Sequence, residues 1–357
     1  MSNQIKPIYE ILHAEKSGNL DDEPKNLTQD LRPFIKSIKL IDQIDGAADR
    51  LTIQIADPQD IHKLPTVGGK IRIKFGYSGN SLTAYGDYTI EDFEFSGVST
   101  IFEMVCTSVD FSSKLYQRRT EAYENMTLEG LAKVISIREE YEDLKLNYDI
   151  RLNSSGVSHH YISQTNESDL HLLNRMSEKE GADFNIKSGV ISITERNKTT
   201  FKDKYAPMTL RLDEITFYAI DHNNRYDYSS VIAKWWNPKE AILEGIQYPE
   251  DANEEGVSFV IERIFQDDIH AAAEARGQLL TLKRKQKLGQ IIMPGKPGIF
   301  AGTVINLAPD KVNERGFRRM LKKDNNGKEI ESKEFTVTQV EHTMDDKGWQ
   351  MRLKLRG

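Results

Sequence analysis

The sequence predicts a mainly β fold of the α+β class, in which two antiparallel β regions flank a mixed α/β segment. Three observations carry that expectation. Apolar and polar residues alternate early in the chain, helical stripes with capping residues occupy the middle, and strict alternation returns at the end. The expected divisions are a first β domain over 1–115, an inserted α/β domain over 116–205 and a second β domain over 206–357. A length of 357 residues suits more than one domain.

In the first region Leu51, Ile53 and Ile55 alternate with Thr52 and Gln54, and Ile71, Ile73 and Phe75 alternate with Arg72 and Lys74. Period two places one set of side chains on a buried face and the other in water. Turn residues separate the runs: Asp57-Pro58, Pro65 and Gly68-Gly69. The strand from Tyr88 to Phe95 changes phase, because Tyr88 and Ile90 share one parity while Phe93 and Phe95 share the other. A bulge near Glu91-Asp92 is therefore expected. Ile101 to Val109 is apolar on both parities, as in a strand covered on both sides.

The middle is helical in pattern. Thr127 is expected to cap a helix whose stripe is Leu128, Leu131, Val134 and Ile135. In Gln164-Thr165-Asn166-Glu167-Ser168-Asp169, Asn166 is expected to cap a second helix, with the acids that follow suiting the positive end of its dipole. Leu170, Leu173 and Met176 supply its apolar face and Gly181 its stop. Phe184 to Ile193 reads as a hairpin turning at Lys187-Ser188-Gly189.

Strands return in the last third. Val231 to Trp236 precedes an Asn237-Pro238 turn, and a helix from Asp267-Asp268 to about Lys287 interrupts. Phe335 to His342 forms a strand. After the turn at Asp345-Asp346-Lys347-Gly348, Trp349, Met351, Leu353 and Leu355 alternate with Gln350, Arg352, Lys354 and Arg356, which makes a terminal hairpin. Two polar stretches read as surface excursions, 247–258 and 310–334. In the second, Phe317, Met320 and Leu321 lie at helical spacing among Arg315, Arg318, Arg319, Lys322 and Lys323. A partner contact and a solvated extension both fit that pattern.

The chemistry-bearing residues are sparse. Lys and Arg number 48 against 55 Asp and Glu, a net charge of −7, which argues against a chain built to hold nucleic acid. No apolar run approaches the roughly 20 residues that span a bilayer, so direct membrane insertion is not expected. One cysteine, Cys106, sits in an apolar strand and excludes an intrachain disulfide. His159-His160 is the densest histidine pair, but adjacent strand residues face opposite ways and no metal-binding spacing surrounds them. Nucleophile-elbow and phosphate-loop motifs are absent, and Gly295-Lys296-Pro297-Gly298 reads as a rigid turn because its prolines lack backbone donors. No catalytic residue, cofactor or metal site is expected.

The order of several strings nonetheless resembles the phage late-control D family. They begin with Asp45-Gly46-Ala47-Ala48-Asp49-Arg50 and its continuation through Pro58, then Gly86-Asp87-Tyr88. Asp110-Phe111-Ser112-Ser113-Lys114-Leu115, Arg118-Arg119 and Thr127-Leu128 follow. The most diagnostic is Gln164-Thr165-Asn166-Glu167-Ser168-Asp169, which carries the family's structural motif; Gly181-Ala182, Val340-Glu341-His342 and Gly348-Trp349 close the series.

These proteins are baseplate hubs of contractile tails, similar to the N-terminal part of VgrG proteins. The resemblance implies two antiparallel hub-type β-barrel domains with an inserted α/β domain. It implies a homotrimer whose ring adapts a six-fold tail tube to a three-fold spike. The implied partners are a separate trimeric tail spike protein, the tail tube protein, and baseplate wedge and tape-measure proteins. The implied location is the virion tail baseplate or a tailocin particle, assembled in the bacterial host cytoplasm. A tail-associated cell-wall hydrolase is the alternative. A transcriptional regulator is disfavoured by the acidic charge and the lack of a helix-turn-helix pattern.

Overall fold

The computed structural model describes residues 6–16, 20–22, 24–44, 48–56, 65–96, 101–108, 115–144, 146–152, 157–187, 190–195, 207–222, 224–252, 256–308 and 334–357. The chain opens with β1 (Pro7–Ala14), β2 (Lys25–Asn26), a single helical turn α1 (Thr28–Leu31) and β3 (Ile35–Gln43). It continues through β4 (Arg50–Ala56), β5 (Lys70–Tyr77), β6 (Thr83–Ser96) and β7 (Ile101–Thr107). The middle contains β8 (Arg118–Met126), α2 (Leu128–Ser136), β9 (Asn147–Arg151), β10 (His159–Ser168), α3 (Asp169–Lys179), β11 (Ala182–Lys187) and β12 (Val190–Glu195). Then come β13 (Met208–Arg211), β14 (Phe217–His222), β15 (Ser230–Asn237), β16 (Ile242–Tyr248), β17 (Ser258–Phe265) and α4 (Asp268–Gln286). The last strands are β18 (Lys287–Pro294), β19 (Val304–Ala308), β20 (Glu334–Asp345) and β21 (Gly348–Arg356).

Strands from both ends of the chain join one large sheet in the order β14-β18-β21-β20-β3-β4-β7-β6-β5-β1-β2, with β19 on β20 and β13 on β19. The seam between the two β regions is the antiparallel β3–β20 ladder, running from Ile38↔Met344 to Gln43↔Gln339. This corrects the expectation of two separate barrels. Among the described residues the path stays open, and neither region closes on itself. The physical reason is hydrogen-bond allocation: the side of β3 away from β4 pairs with β20 over Ile38 to Gln43, so the edge of the first region is taken by the second.

The predicted alternation is what fills the core. Leu51, Ile53, Ile71, Ile73 and Phe75 from the first region share one buried cluster with Ile291, Val340, Trp349, Met351 and Leu353 from the second. Each such side chain contributes about 1.5–3 kcal/mol on burial. The phase change in β6 is a bulge, since Ile90 pairs with Cys106 and Asp92 with Val105, leaving Glu91 as the extra residue. The cluster also encloses a histidine. His342 is fully buried, its ring 4.5 Å from that of Tyr85, and its Nδ1 accepts from Trp349 Nε1 at 3.3 Å. Burial pushes its pKa down to about 4, against a weaker upward pull from Asp42. Beside it the backbone of Gly295 meets the Trp349 ring so closely that a Cβ there would fall 1.9 Å from it.

Two smaller bodies have their own cores. In the middle, α2 and α3 pack with Tyr123, Ile162, Phe184, Ile191 and Ile193. Thr127 caps α2 by accepting from Gly130 N at 3.1 Å, as expected. Its buried stripe is Leu128, Leu131, Ala132 and Ile135, whereas Val134 faces outward. The hairpin β11–β12 forms, with β9 added in parallel.

The other body lies within 206–357. There β16-β15-β17 make a separate sheet covered on one face by α4, through Val231, Ala233, Ala271, Ala275, Leu279 and Leu282. The excursion expected over 247–258 is shorter, because Gln247 and Tyr248 end β16 and Ser258 begins β17. The helix α4 also reaches the middle body. A Cβ on Gly181 would lie 2.8 Å from Gly277 Cα, so two backbones touch where side chains would hold them apart.

Candidate functional site

The string Gln164 to Asp169 ends β10 and starts α3, and its side chains divide between a buried network and an exposed face. Asn166 does not cap the helix. It has φ +48 and sits where β10 slips register against β8, between Gln164 and Glu167, with its N–H donating to Thr120 Oγ1 at 3.2 Å. Asparagine tolerates this left-handed backbone better than most residues. The cap is Ser168, extended at φ −76 and ψ 156, whose hydroxyl accepts from His171 N at 3.3 Å. The expected face of α3 gains Leu172, which is buried with Leu173 and Met176, while Leu170 is partly buried.

Asp169 is completely buried, and its carboxylate is surrounded. Oδ1 accepts from Gln164 Nε2 at 2.7 Å, and Oδ2 accepts from Tyr141 Oη at 2.7 Å. Arg138 Nε and Arg119 Nε stand 3.2 and 3.5 Å from Oδ2, in charge contact but off the line of a hydrogen bond. Each guanidinium is shared with a second acid: Arg138 donates to Glu121 at 2.7 Å and Arg119 to Glu140 at 2.7 Å. Gln164, itself buried, gives its second amide hydrogen to Glu167 O and accepts from Tyr123 Oη. An isolated carboxylate in such a place would be very costly, and this one persists because β8 (Arg119), the turn that follows α2 (Arg138), the 3-10 turn over 139–144 (Tyr141) and β10 (Gln164) all supply partners.

The electrostatics follow the contacts. The hydrogen bond from Arg138 holds Glu121 below the usual carboxylate range, and that from Arg119 does the same for Glu140. Burial, followed by the bond to Asp169, raises the Tyr141 hydroxyl to about 12. Burial pushes Glu167 up, but Arg175 and His171 outweigh it and leave it lowered. Among the described residues every carboxyl with a resolved departure (Glu121, Glu140, Glu167, Asp213 and Asp267) moves down. A general acid for glycoside cleavage needs the opposite shift. The arrangement is suited to holding elements together.

Exposed Thr165 and Asn166, with part-buried Glu167, line an open groove of about 1110 Å³ with Ala48, Tyr116, Arg118 and Arg175. Glu167 is bound there by Arg175 and by His171. Cys106 is buried in the large sheet, and burial raises its thiol pKa well above the ordinary value, which leaves it unreactive. The proposed contact residues Arg315, Phe317, Arg318, Arg319, Met320, Leu321, Lys322 and Lys323 lie outside the described residues.

Sequence reasoning missed the partners. Arg119 entered only as part of a family string, while Arg138 and Tyr141 drew no notice, because nothing in their spacing marks them as neighbours of Asp169. Nor did spacing show that the His270 ring lies 5.1 Å from that of His159 and 6.4 Å from that of His160.

No protein-family model matches the chain. Two curated proteins are similar to it, both described as probable baseplate hub proteins. That of Escherichia phage P2 is 21% identical over 365 residues, covering 93% of this chain and 91% of the relative. That of Escherichia phage 186 is 26% identical over 218 residues, covering 60% of this chain and 55% of the relative. Among solved structures, the 43 kDa tail protein of prophage MuSo2 from Shewanella oneidensis superposes with a TM-score of 0.63 at 13% identity, covering 97% of this chain and 98% of that one. A chain of the Francisella PdpA–VgrG complex superposes with a TM-score of 0.56 at 11% identity, covering 99% of this chain and 59% of that one. At those identities the structural likeness speaks for the fold alone. The chain is thus similar in sequence, over nearly its whole length, to a probable baseplate hub protein, and similar in fold to a phage tail protein and to a chain of the PdpA–VgrG complex.

Proposed function

We propose that this chain is the structural hub of a contractile tail baseplate or a related injection device, and that it acts without catalysis. The observation that carries the proposal is the near full-length match to a probable baseplate hub protein, spanning the large sheet and both smaller bodies. The sheet supports it physically, because strands from the two β regions form one continuous surface through the β3–β20 ladder. Such a surface suits a rigid ring segment that transmits load between neighbours. Three copies would form the ring, with a tail tube protein on one side and a separate trimeric spike on the other. Wedge and tape-measure proteins would contact its periphery. The domain division 1–115, 116–205 and 206–357 is proposed to give two tube-facing β units and one insert. The particle would be a virion tail or a tailocin, assembled in the host cytoplasm.

Co-expression with the neighbouring spike and tube genes, followed by mass measurement and electron microscopy, tests this. A complex with three hub copies per spike trimer is expected. Six copies in one ring, or no association with either partner, would overturn it. The hydrolase alternative is tested by a cell-wall zymogram, in which a cleared band from the purified chain would replace the structural proposal.

A further inference from the structure

We propose that a trough crossing the seam of the large sheet is a docking site for an extended, acidic segment of a neighbouring polypeptide. The trough, of about 540 Å³, runs across β14, β18, β21, β20 and β3. Register builds its floor. Gln290 pairs with Lys354, Lys354 with Gln339, and Gln339 with Gln43, so four polar side chains stand in one row on one face. Neighbours in such a row are about 4.7–4.9 Å apart. Ile291, Leu353, Leu355 and Val340, next to them along their strands, point into the core, which puts the row on the outer face. The extra residue Thr338 bulges β20 at this place and bends the strand where the row crosses it.

Chemistry selects the occupant. Among the described residues the side chains of Gln290 and Gln339 and the Lys354 ammonium have no hydrogen-bond or ion-pair partner. Gln43 donates through Nε2 to Ala48 O at 3.2 Å, which leaves its side-chain carbonyl as an acceptor. A primary amide offers donor and acceptor side by side, as a peptide group does, whereas a phosphate backbone presents acceptors alone. That favours a polypeptide over nucleic acid. The charged lining is Lys354 and Arg356 against Asp221, with Arg352 one row away. A local excess of cations on a chain of net charge −7 steers an acidic partner to this place. The five strands span about 19 Å between the outer two, the length of about six extended residues. That the segment belongs to another protein of the particle rests on the hub reading; the chemistry of the trough does not.

The first test uses the isolated full chain and a blocked synthetic hexapeptide of alternating glutamate and serine, followed by fluorescence anisotropy. One peptide per chain is expected, bound more weakly as salt is added. Lys354→Glu should reduce affinity about 10-fold, and Gln339→Leu should reduce it without changing the salt dependence. Lys347→Glu, the same charge change on the exposed terminal turn, should leave it unaltered. Lys354 and Gln339 point away from the core, so the variants should melt like the native chain. Absence of saturable binding, equal binding of the lysine counterpart peptide, tighter binding of a single-stranded hexathymidylate, or undiminished binding by a folded Lys354→Glu chain would overturn the proposal. The second test uses the complex assembled with the co-expressed neighbouring tail proteins, treated with a carbodiimide that joins amine directly to carboxylate. A cross-link from Lys354 to an Asp or Glu of another protein is expected. Lys354 left open to acylation in that complex, or linked only to a second copy of this chain, would overturn the site as a tail contact. Failure of the complex to form would instead count against the hub reading, with the peptide titration deciding the trough.

Discussion

The large sheet and the middle body are stabilised in opposite ways. The sheet seam buries Ile38, Leu40, Val340 and Met344 beside Trp349 and Leu353, with one neutral histidine enclosed. The middle body centres on a buried ion, Asp169, whose contacts come from four separate elements. Apolar packing is additive and forgiving, since a substituted side chain loses mainly its own contacts. A buried ionic network has no such latitude: loss of any member leaves the others charged and desolvated. The middle body should therefore be the more sharply specified and the more easily broken of the two.

The largest effect expected from that contrast is at the ion itself. Asp169→Ala leaves Arg119 and Arg138 facing each other across a dry gap and should cost about 3–5 kcal/mol. Urea melts followed by fluorescence should show the middle body unfolding first. A loss below roughly 1 kcal/mol would mean that water reaches the cluster and the contrast is overdrawn.

Acid should expose a weakness of the sheet. The folded pKa of His342, about 4, lies below the usual 6.5, so the unfolded chain takes up its proton first. Stability from this group is complete above that ordinary value and is lost progressively as pH falls toward the folded one. The full loss is about 3 kcal/mol by linkage. His342→Leu should flatten the stability profile across that window, measured by denaturation at a series of pH values. An unchanged slope would assign the acid sensitivity to the carboxylates.

The smallest effect separates two neighbours in the motif. Ser168→Ala should cost about 1 kcal/mol, the usual loss of a helix cap. Asn166→Gly should be neutral or stabilising, because glycine accepts φ +48 without penalty. Equal losses at both positions would mean that Asn166 contributes through its side chain.

The strands were legible because alternation is a local signal. The odd residue Glu91 was legible too, since a phase change is visible wherever a bulge shifts the parity. The cap was harder. Asn166 and Ser168 are both good capping residues followed by an acid, and only the backbone angles decide between them. Nothing local could have joined Arg119, Arg138 and Asp169, or His159 and His270, because their proximity depends on how separate elements dock. The union of the two β regions was hidden for the same reason: β3 and β20 each look like an ordinary strand, and the choice of partner is not written in either.

That choice has a consequence for how the molecule is made. Synthesis runs from the amino end, and Ile38 must wait for Met344 before its side of β3 is paired. Contacts so distant along the chain form late and slowly, because loop closure comes before any gain from pairing. During translation β3 is an unpaired edge, open to any strand that drifts near it. Emergence of β20 from the ribosome covers that edge. A chain cut short before β20 would keep its adhesive border and would be prone to aggregation or proteolysis.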